Sequence, residues 1–537
     1  MKKNKINKVF TLCIILFVGL FYGCKKHNLN KINGLTSGHN VAVPLGYSNF
    51  DMHDLLMGID SSITTNNLGE MQLAYEKPID SVMAQEIIQL DDFSESFDIT
   101  PPAFSGSSIS SFNGTIDFAS TENTDYVTQN GVELHTLNFE SGSLTLNLST
   151  TIQHDVTITV TMLDLLSSSV PIVRVLNLSY AGSIPQTAST VVDLTDVLSD
   201  FTAGGSTVNR LRVSVDATIT GTGQPIVGNE DLTLTMNLSN LEFKNIIGYF
   251  GSELLNAVTD STLLKIFENS NSGNLSFTNP SLKFTIYSSF GLPININFSS
   301  LSCINTLTNV STPLGGFPTV IPINTPASMG QTAQTVITFD NTNTANISSI
   351  IDAAPKYLKY TTSITTNPNG AVLPLNFIES TSKMVIKAKI TLPFEGYASG
   401  IAASDTIDFS YDQNVNNIES VMFRLYTENG FPLAFNGQAT FVDSDYVPVF
   451  NLFNSPTQIV TAAPVNNLGL VTSASIYTTD ININDAKILL MKNVKHIIIS
   501  GIAETTQPAN TIVKFYDFYR IKIKLGIQVQ LKSTIII

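Results

Sequence analysis

Residues 281–297 read SLKFTIYSSFGLPININ, and residues 420–436 read SVMFRLYTENGFPLAFN. Six identities align without a gap: Ser281/Ser420, Phe284/Phe423, Tyr287/Tyr426, Gly291/Gly430, Pro293/Pro432 and Asn297/Asn436, every pair at the same offset. Within each copy apolar residues alternate with polar ones up to the tyrosine, the spacing of a half-buried strand. The chain then passes Ser-Ser-Phe-Gly or Thr-Glu-Asn-Gly and resumes at a proline. Glycine adopts positive φ at little cost, and proline is tolerated as a strand's first residue. The segment is expected to mark a hairpin, with Gly291, Pro293, Gly430 and Pro432 in structural roles.

The period is not confined to these lines. Thr365-Thr366-Asn-Pro368 matches Thr505-Thr506-Gln-Pro508, and KMVIKAKI (383–390) matches RIKIKLGI (520–527) at nearly the same offset. A more diverged copy starts at Ser143 (SLTLNLSTTI), almost one full period before Ser281, and lacks the Gly-x-Pro. Repetition of one unit at a fixed period is the signature of stacked modules. Alternation recurs at Leu144/Leu146/Leu148, Val156/Ile158/Val160/Met162, Leu232/Leu234/Met236/Leu238 and Ile521/Ile523/Leu525/Ile527/Val529. One apolar and one Thr/Ser/Asn face characterises antiparallel strands covered on one side. Helical spacing is expected only at Ile79–Leu90 and within Ile246–Phe267. The fold class is therefore mainly β: tandem antiparallel β-sandwich-like modules with a few short helices. The expected divisions are a signal at 1–23, a tether at 24–47 and an N-terminal segment with a short helix at 48–140. Module 1 then spans 141–277, module 2 spans 278–416 and module 3 spans 417–537.

Composition narrows the function classes. The 537 residues hold 28 Lys+Arg and 43 Asp+Glu, so 13% is charged and the net charge is -15; a typical chain is roughly 25% charged. The acidic balance argues against a nucleic-acid partner. With 43% hydrophobic residues the chain is too apolar for disorder. Three cysteines make no disulfide framework.

Lys2, Lys3, Lys5 and Lys8 precede an apolar run from Val9 to Tyr22, then Gly23-Cys24. As a helix that run rises about 21 Å, short of the roughly 30 Å hydrocarbon core, so it is expected to be a signal rather than a span. Cleavage removes four lysines and takes the net charge to -19. The Gly23-Cys24 junction resembles the lipobox of bacterial lipoproteins, with Phe21 where that motif has a smaller aliphatic residue. The resemblance implies acylation of Cys24 and membrane attachment through lipid. Lys25 and Lys26 follow with no acidic neighbour, and the resemblance to sorted lipoproteins then implies the outer membrane, on its periplasmic or surface face. Cys303 would then be the one remaining thiol, expected to be a buried small apolar residue.

Asn279-Pro280-Ser-Leu through Gly291-Leu-Pro293-Ile resembles the strand-turn-strand of the LEA type 2 (water-stress) β-sandwich family. The whole arrangement, with its ENGFPL and FGLPI segments, is similar to large surface lipoproteins of Bacteroidota-type bacteria. That resemblance implies envelope localisation and brings no activity with it.

Catalytic motifs are scarce. The chain has no Gly-x-Ser-x-Gly elbow, no phosphate loop and no His-Glu-x-x-His pair. His27, His39, His53, His135, His154 and His496 are scattered, and each reads better as a surface or core histidine than as a ligand. Asp51/Asp54 around His53, Asp91/Asp92 and Asp443/Asp445 offer carboxylate pairs for glycoside hydrolysis or Ca²⁺, but turn chemistry accounts for them better. The aromatic run FYDFYR (515–520) suits a membrane interface or ligand platform, against the plainer reading of core and edge packing. Asp80-Ser81-Val82, Asp260-Ser261-Thr262 and Asp405-Thr406-Ile407 resemble the O-glycosylation acceptor of Bacteroidota exported proteins, which would modify Ser81, Ser261 and Thr406.

The expectation is a lipid-anchored, non-enzymatic binding, adhesion or scaffold protein with an envelope protein, glycan or lipid as partner and no cofactor. The alternatives are a carrier of lipid or another apolar ligand in an amphipathic β groove and, less favoured, a polysaccharide-active enzyme. A transmembrane barrel also alternates and is a structural rival.

Overall fold

A computed structural model of the chain describes residues 40–51, 63–101, 104, 106, 108–264, 274–305, 308–353, 355–409, 418–506 and 511–531. Residues 1–23, expected to be a signal, and Cys24 lie outside the described residues.

Alternation became sheet wherever it was long. Leu144, Leu146, Leu148, Val156, Ile158, Val160, Met162, Leu232, Leu234, Met236 and Leu238 are all buried, each withdrawing enough apolar surface to contribute about 1.5–3 kcal/mol. Ile521 and Ile523 are buried, while Ile527 and Val529 are half-buried.

The strands assemble into three modules with one strand order. In module 2 the first sheet runs Ala333–Phe339, Ser281–Ser288, Lys383–Pro393, Met71–Met83. The second runs Leu254–Leu263, Tyr357–Thr366, Ile294–Asn305, Val310–Pro313. Module 3 repeats both, as Ser475–Asn484, Ile418–Asn429, Arg520–Leu531, Asn40–Asp51 and as Ile401–Asp408, His496–Thr505, Leu433–Val442, Pro448–Asn451. Module 1 follows the same plan: Gln186–Asp193, Glu133–Thr150, Leu232–Tyr249, Phe93–Asp98 against Thr115–Asp125, Arg210–Thr220, Asp155–Ser167, Val170–Leu178. There the short strand Leu198–Asp200 pairs with both sheets and joins them into one. In module 2 the sheets meet through Phe284 and Phe298, whose ring centroids are 5.5 Å apart, with Phe317 and Phe339 completing the cluster.

The module boundaries differ from those expected. Leu254–Leu263 and Ile401–Asp408 belong to modules 2 and 3, so each module begins before the repeated line that signals it. The stretch 48–140 is no separate segment. Asn40–Asp51 completes module 3, Met71–Met83 completes module 2, and Phe93–Asp98 completes module 1. The N-terminal chain thus visits the modules in reverse order, as a strap. The strand at Asn40 also starts inside the stretch expected as a tether; residues 24–39 lie outside the described residues. Modules 1 and 2 share one core and module 3 has its own. Met71, on a module 2 strand, is buried in the core of module 3. A three-stranded sheet of Asn274–Phe277, Glu395–Ser399 and Val513–Lys514 lies between modules 2 and 3.

Two helix expectations are corrected. Only Ala84–Ile87 is helical within 79–90; Ile79 to Met83 remain in strand, with Asp80 to Met83 paired to Lys383–Ile386 and Ile79 at a bulge. Within 246–267, Ile246–Tyr249 end one strand and Leu254–Leu263 form another, paired along Tyr357–Thr366; residues 265–267 lie outside the described ones. In both places an open sheet edge offered the backbone partners, and tertiary pairing overrode apolar spacing.

The Gly-x-Pro line is not a hairpin. Ser281–Ser288 and Ile294–Asn305 lie in different sheets, so Gly291 and Pro293 carry the chain across the sandwich, as Gly430 and Pro432 do in module 3. Neither glycine has positive φ. Glycine is required there by close approach. A Cβ on Gly291 would lie 2.3 Å from the Phe377 ring, and one on Gly430 would lie 2.8 Å from the Arg520 carbonyl oxygen. The proline carbonyls hold equivalent bonds: Pro293 accepts from Asn367 N–H at 2.8 Å and Pro432 from Thr506 N–H at 3.0 Å, each donor following the last paired residue of the neighbouring strand.

Gly291→Ala and Gly430→Ala are therefore expected to destabilise the full chain by about 1–3 kcal/mol each through overpacking. Gly205→Ala, where the nearest atom is 3.9 Å away, should stay within about 0.5 kcal/mol in the same denaturant titration.

Candidate functional site

The carboxylate pairs singled out by sequence are occupied in structural bonds. Asp443 Oδ1 accepts the backbone N–H groups of Asp445 and Val447, both at 2.9 Å, which is turn chemistry. Asp91 Oδ2 accepts from Gln129 at 2.9 Å, while Asp92 Oδ1 accepts from Asn240 N–H at 2.8 Å. Asp51 pairs with Arg520 across the strap at 3.5 Å. His53 and Asp54 lie outside the described residues, as do His27 and His39. Among the described residues no three His, Cys, Asp or Glu side chains are grouped to hold a metal ion.

The remaining histidines are separated. His135 is half-buried in a strand. His154 is buried beside Phe104 and Phe112, with Nδ1 accepting from Thr222 N–H at 3.2 Å, and burial holds its pKa below the ordinary value. His496 Nδ1 lies 2.9 Å from Asp408 Oδ1, and its ring stacks on Tyr446 at 4.7 Å. Cys303 is buried, and burial pushes its thiol up to about 12, so it is an inert core group.

The aromatic run at 515–520 lies at the joint of modules 2 and 3. Tyr516 Oη donates to Glu70 Oε1 at 3.1 Å, and Lys514 Nζ lies 3.5 Å from Glu70 and 3.6 Å from Glu395. The Asn66 amide, ahead of Tyr516 and Lys514, holds the Glu70 carboxyl below its usual range. Tyr519 is buried and accepts from Val471 N–H, whereas Phe518 remains 60% exposed. The run is split between core and edge.

The candidate modification sites do share a geometry. Ser81, Ser261 and Thr406 are all exposed, each on a strand. Ser261 pairs with Lys359 and Thr406 with Ile498, partners at the repeat offset, so the two occupy equivalent places on the edge strands of modules 2 and 3. Asp80 and Asp260 each accept from the N–H of the following serine, at 2.8 and 2.7 Å. Both also approach Tyr360, whose hydroxyl donates to the Ile79 carbonyl at 2.9 Å and lies 3.4 Å from Asp260 Oδ2. Burial raises the Asp80 pKa, with the charges of Glu86 and Asp260 acting in the same direction. Burial likewise pushes Tyr360 up to about 12. Both Asp-Ser pairs stand out in the sequence, but their convergence does not, because a long stretch of chain separates them.

No family model matches the chain, and no curated protein matches it. Among solved structures, a candidate secreted protein of Parabacteroides distasonis aligns at 13% identity and TM-score 0.30, over 53% of this chain and 89% of that one. The triple jelly roll protein of an archaeal virus turret aligns at 10% identity and TM-score 0.12, over 78% of this chain and 91% of that one.

Asp80 gives a pH prediction. Its folded pKa is raised, so the native state holds its proton to higher pH than the unfolded chain does. Stability is therefore lost as pH rises from the ordinary carboxylate range through the raised value. Asp80→Asn should raise stability at neutral pH by about 0.5 kcal/mol after allowance for solvent screening. Thermal melts of both proteins should converge as the pH falls below the carboxylate range.

Proposed function

We propose that the chain is a lipid-anchored cell-envelope protein that acts as a non-enzymatic binding or scaffold surface. The observation that carries this reading is the repetition of one eight-strand plan in three modules, tied together by a strap that begins sixteen residues after Cys24. Repeating one plan multiplies a surface. The outward residues of module 1 suit contact without chemistry: Ser94 with Asn237, Ser96 with Thr235, and Ser189 with Asn147 pair across strands as neutral hydroxyl and amide groups. A glycan or an envelope protein is the partner such a face suits. The carrier reading has less support, because Phe284, Phe298, Phe317 and Phe339 close the two sheets of module 2 on each other. Exposure of Ser81, Ser261 and Thr406 supports their reading as O-glycosylation acceptors.

Native protein should carry lipid on Cys24 by mass spectrometry and pellet with membranes in high salt. Cys24→Ala should move it to the soluble fraction with its melting temperature unchanged. An unmodified Cys24 would overturn the anchor. Bound glycans should be recovered intact, and release of new reducing ends would overturn the non-enzymatic part. The same mass spectra should show added sugar at Ser81, Ser261 and Thr406.

A further inference from the structure

Modules 2 and 3 each place a short helix after an edge strand or its following loop, and the two helices differ in what they expose. In module 2 it is Ile347–Asp352, sequence ISSIID. Ile347, Ile350 and Ile351 are all buried, and the Asp352 carboxylate accepts from Ser276 and from Phe277 N–H. In module 3 it is Asp485–Leu490, sequence DAKILL, followed by a 3-10 turn at Met491–Asn493. Only Ile488 is buried; Leu489 is 59% exposed and Leu490 40%. Leu489 stands almost one repeat after Ile351, which is 5% exposed. Lys492 and Lys495 are exposed beside these leucines in sequence, while Lys487 is spent on the carbonyls of Asn451 and Leu452 at 2.8 and 3.1 Å.

The position of this helix says what should cover it. Asn40, Gln530, Ser420 and Asn484 form one row across the end of the module 3 sheet. With strands about 4.8 Å apart the row spans about 14 Å. The helix starts at Asp485, so the strap enters the fold at the same end of the sheet. The strap's other end, Asp51 beside Arg520, points to the joint with module 2. Fifteen residues lie between Cys24 and Asn40, and the sixteen steps from one to the other reach at most about 55 Å. Charge separates the two end modules in the same sense, with residues 250–400 between them neutral at seven Lys against seven Asp/Glu. Residues 401–531 hold eight Lys/Arg against eleven Asp/Glu, a net of -3, whereas residues 93–249 hold four against sixteen, a net of -12. An anionic surface would repel module 1 far more than module 3.

We propose that Leu489, Leu490, Lys492 and Lys495 form a second membrane contact, which lays the anchor end of module 3 on an anionic lipid surface and holds module 1 away from it. Leucine side chains enter the headgroup boundary while lysines engage lipid phosphates, the pairing that interfacial helices use. The contact rests on the proposed lipid anchor and adds the orientation that the anchor alone leaves free.

The chain has no Trp, so one introduced residue reports its own surroundings. Full-chain Leu490→Trp would be studied with vesicles of phosphatidylcholine and phosphatidylglycerol, with Val191→Trp, exposed on module 1, as the control. The expected result is a blue shift and quenching by brominated lipid for Leu490→Trp only, weakened several-fold by adding Lys492→Glu and Lys495→Glu. An unshifted Leu490→Trp on vesicle-bound, acylated protein would overturn the contact and leave the anchor standing. If Cys24 carries no lipid, vesicles added to the unacylated protein decide the contact by the same shift. A tryptophan already shielded from aqueous quencher without vesicles would mean that the chain itself covers the patch. A shift that grows with protein concentration alone would mean that a second copy does. Either result overturns the proposal.

Discussion

The structure depends on a backbone interaction between the two ends of the chain: the antiparallel ladder that runs from Asn40 with Gln530 to Asp51 with Arg520. Every module has a first sheet of four successive strands of which only three come from its own stretch of sequence. The fourth arrives from the segment 40–98, to module 3 first and module 1 last. Without it each sheet would present a row of unpaired N–H and C=O groups, the template for wrong pairing that β proteins avoid. Closing a loop that takes in almost the whole chain costs only slightly more entropy than closing one within a single module, because the cost grows with the logarithm of length. The delay matters more than the cost. The strand Asn40–Asp51 waits for Arg520–Leu531, so the native order of module 3 is reached only when both are present.

The repeat persists where geometry leaves no choice. Gly291 and Gly430 survive because a neighbouring ring or carbonyl occupies the space of a side chain. The prolines after them keep their carbonyls on equivalent partners, Asn367 and Thr506. Lys387 lies over Tyr287 and Lys524 over Tyr426, so the repeated tyrosines each keep a cation on the ring face. Elsewhere the copies are free to diverge, and they do so at the surface. The buried Ile351 of one module stands where the exposed Leu489 of the next lies. Function is expected at such differences, since the shared positions are explained by packing alone.

Much of this was legible in the sequence. Period-two alternation is local, so the strands with Leu144, Val156 and Leu232 could be read directly, and the Gly-x-Pro lines exposed the repeat. Their role was misread, because a turn within one sheet and a crossing between two sheets need the same short connection. The helix expectation at 246–267 failed, and that at 79–90 held only for Ala84–Ile87, because apolar spacing says nothing of an open edge supplied by a distant part of the chain. The strap left no local signal at all: nothing in NVAVPLGYSNFD indicates a partner at the far end of the chain. Asp80, Asp260 and Tyr360 converge only once the strap is in place, so their site was invisible for the same reason. Cys24, on which the proposed localisation rests, was read from sequence and lies outside the described residues.

The most direct test of the strap is covalent. Asn49→Cys with Lys522→Cys, and Ser96→Cys with Thr235→Cys, would place a thiol pair across the strap's ladders in modules 3 and 1, in a chain carrying Cys13→Ala and Cys24→Ala, with Cys303 buried. Mild oxidation followed by peptide mass spectrometry would read the links. The account predicts that both links form within single chains, joining residue 49 to 522 and residue 96 to 235. Failure of the 49–522 link to form, or its appearance only between two chains, would contradict it.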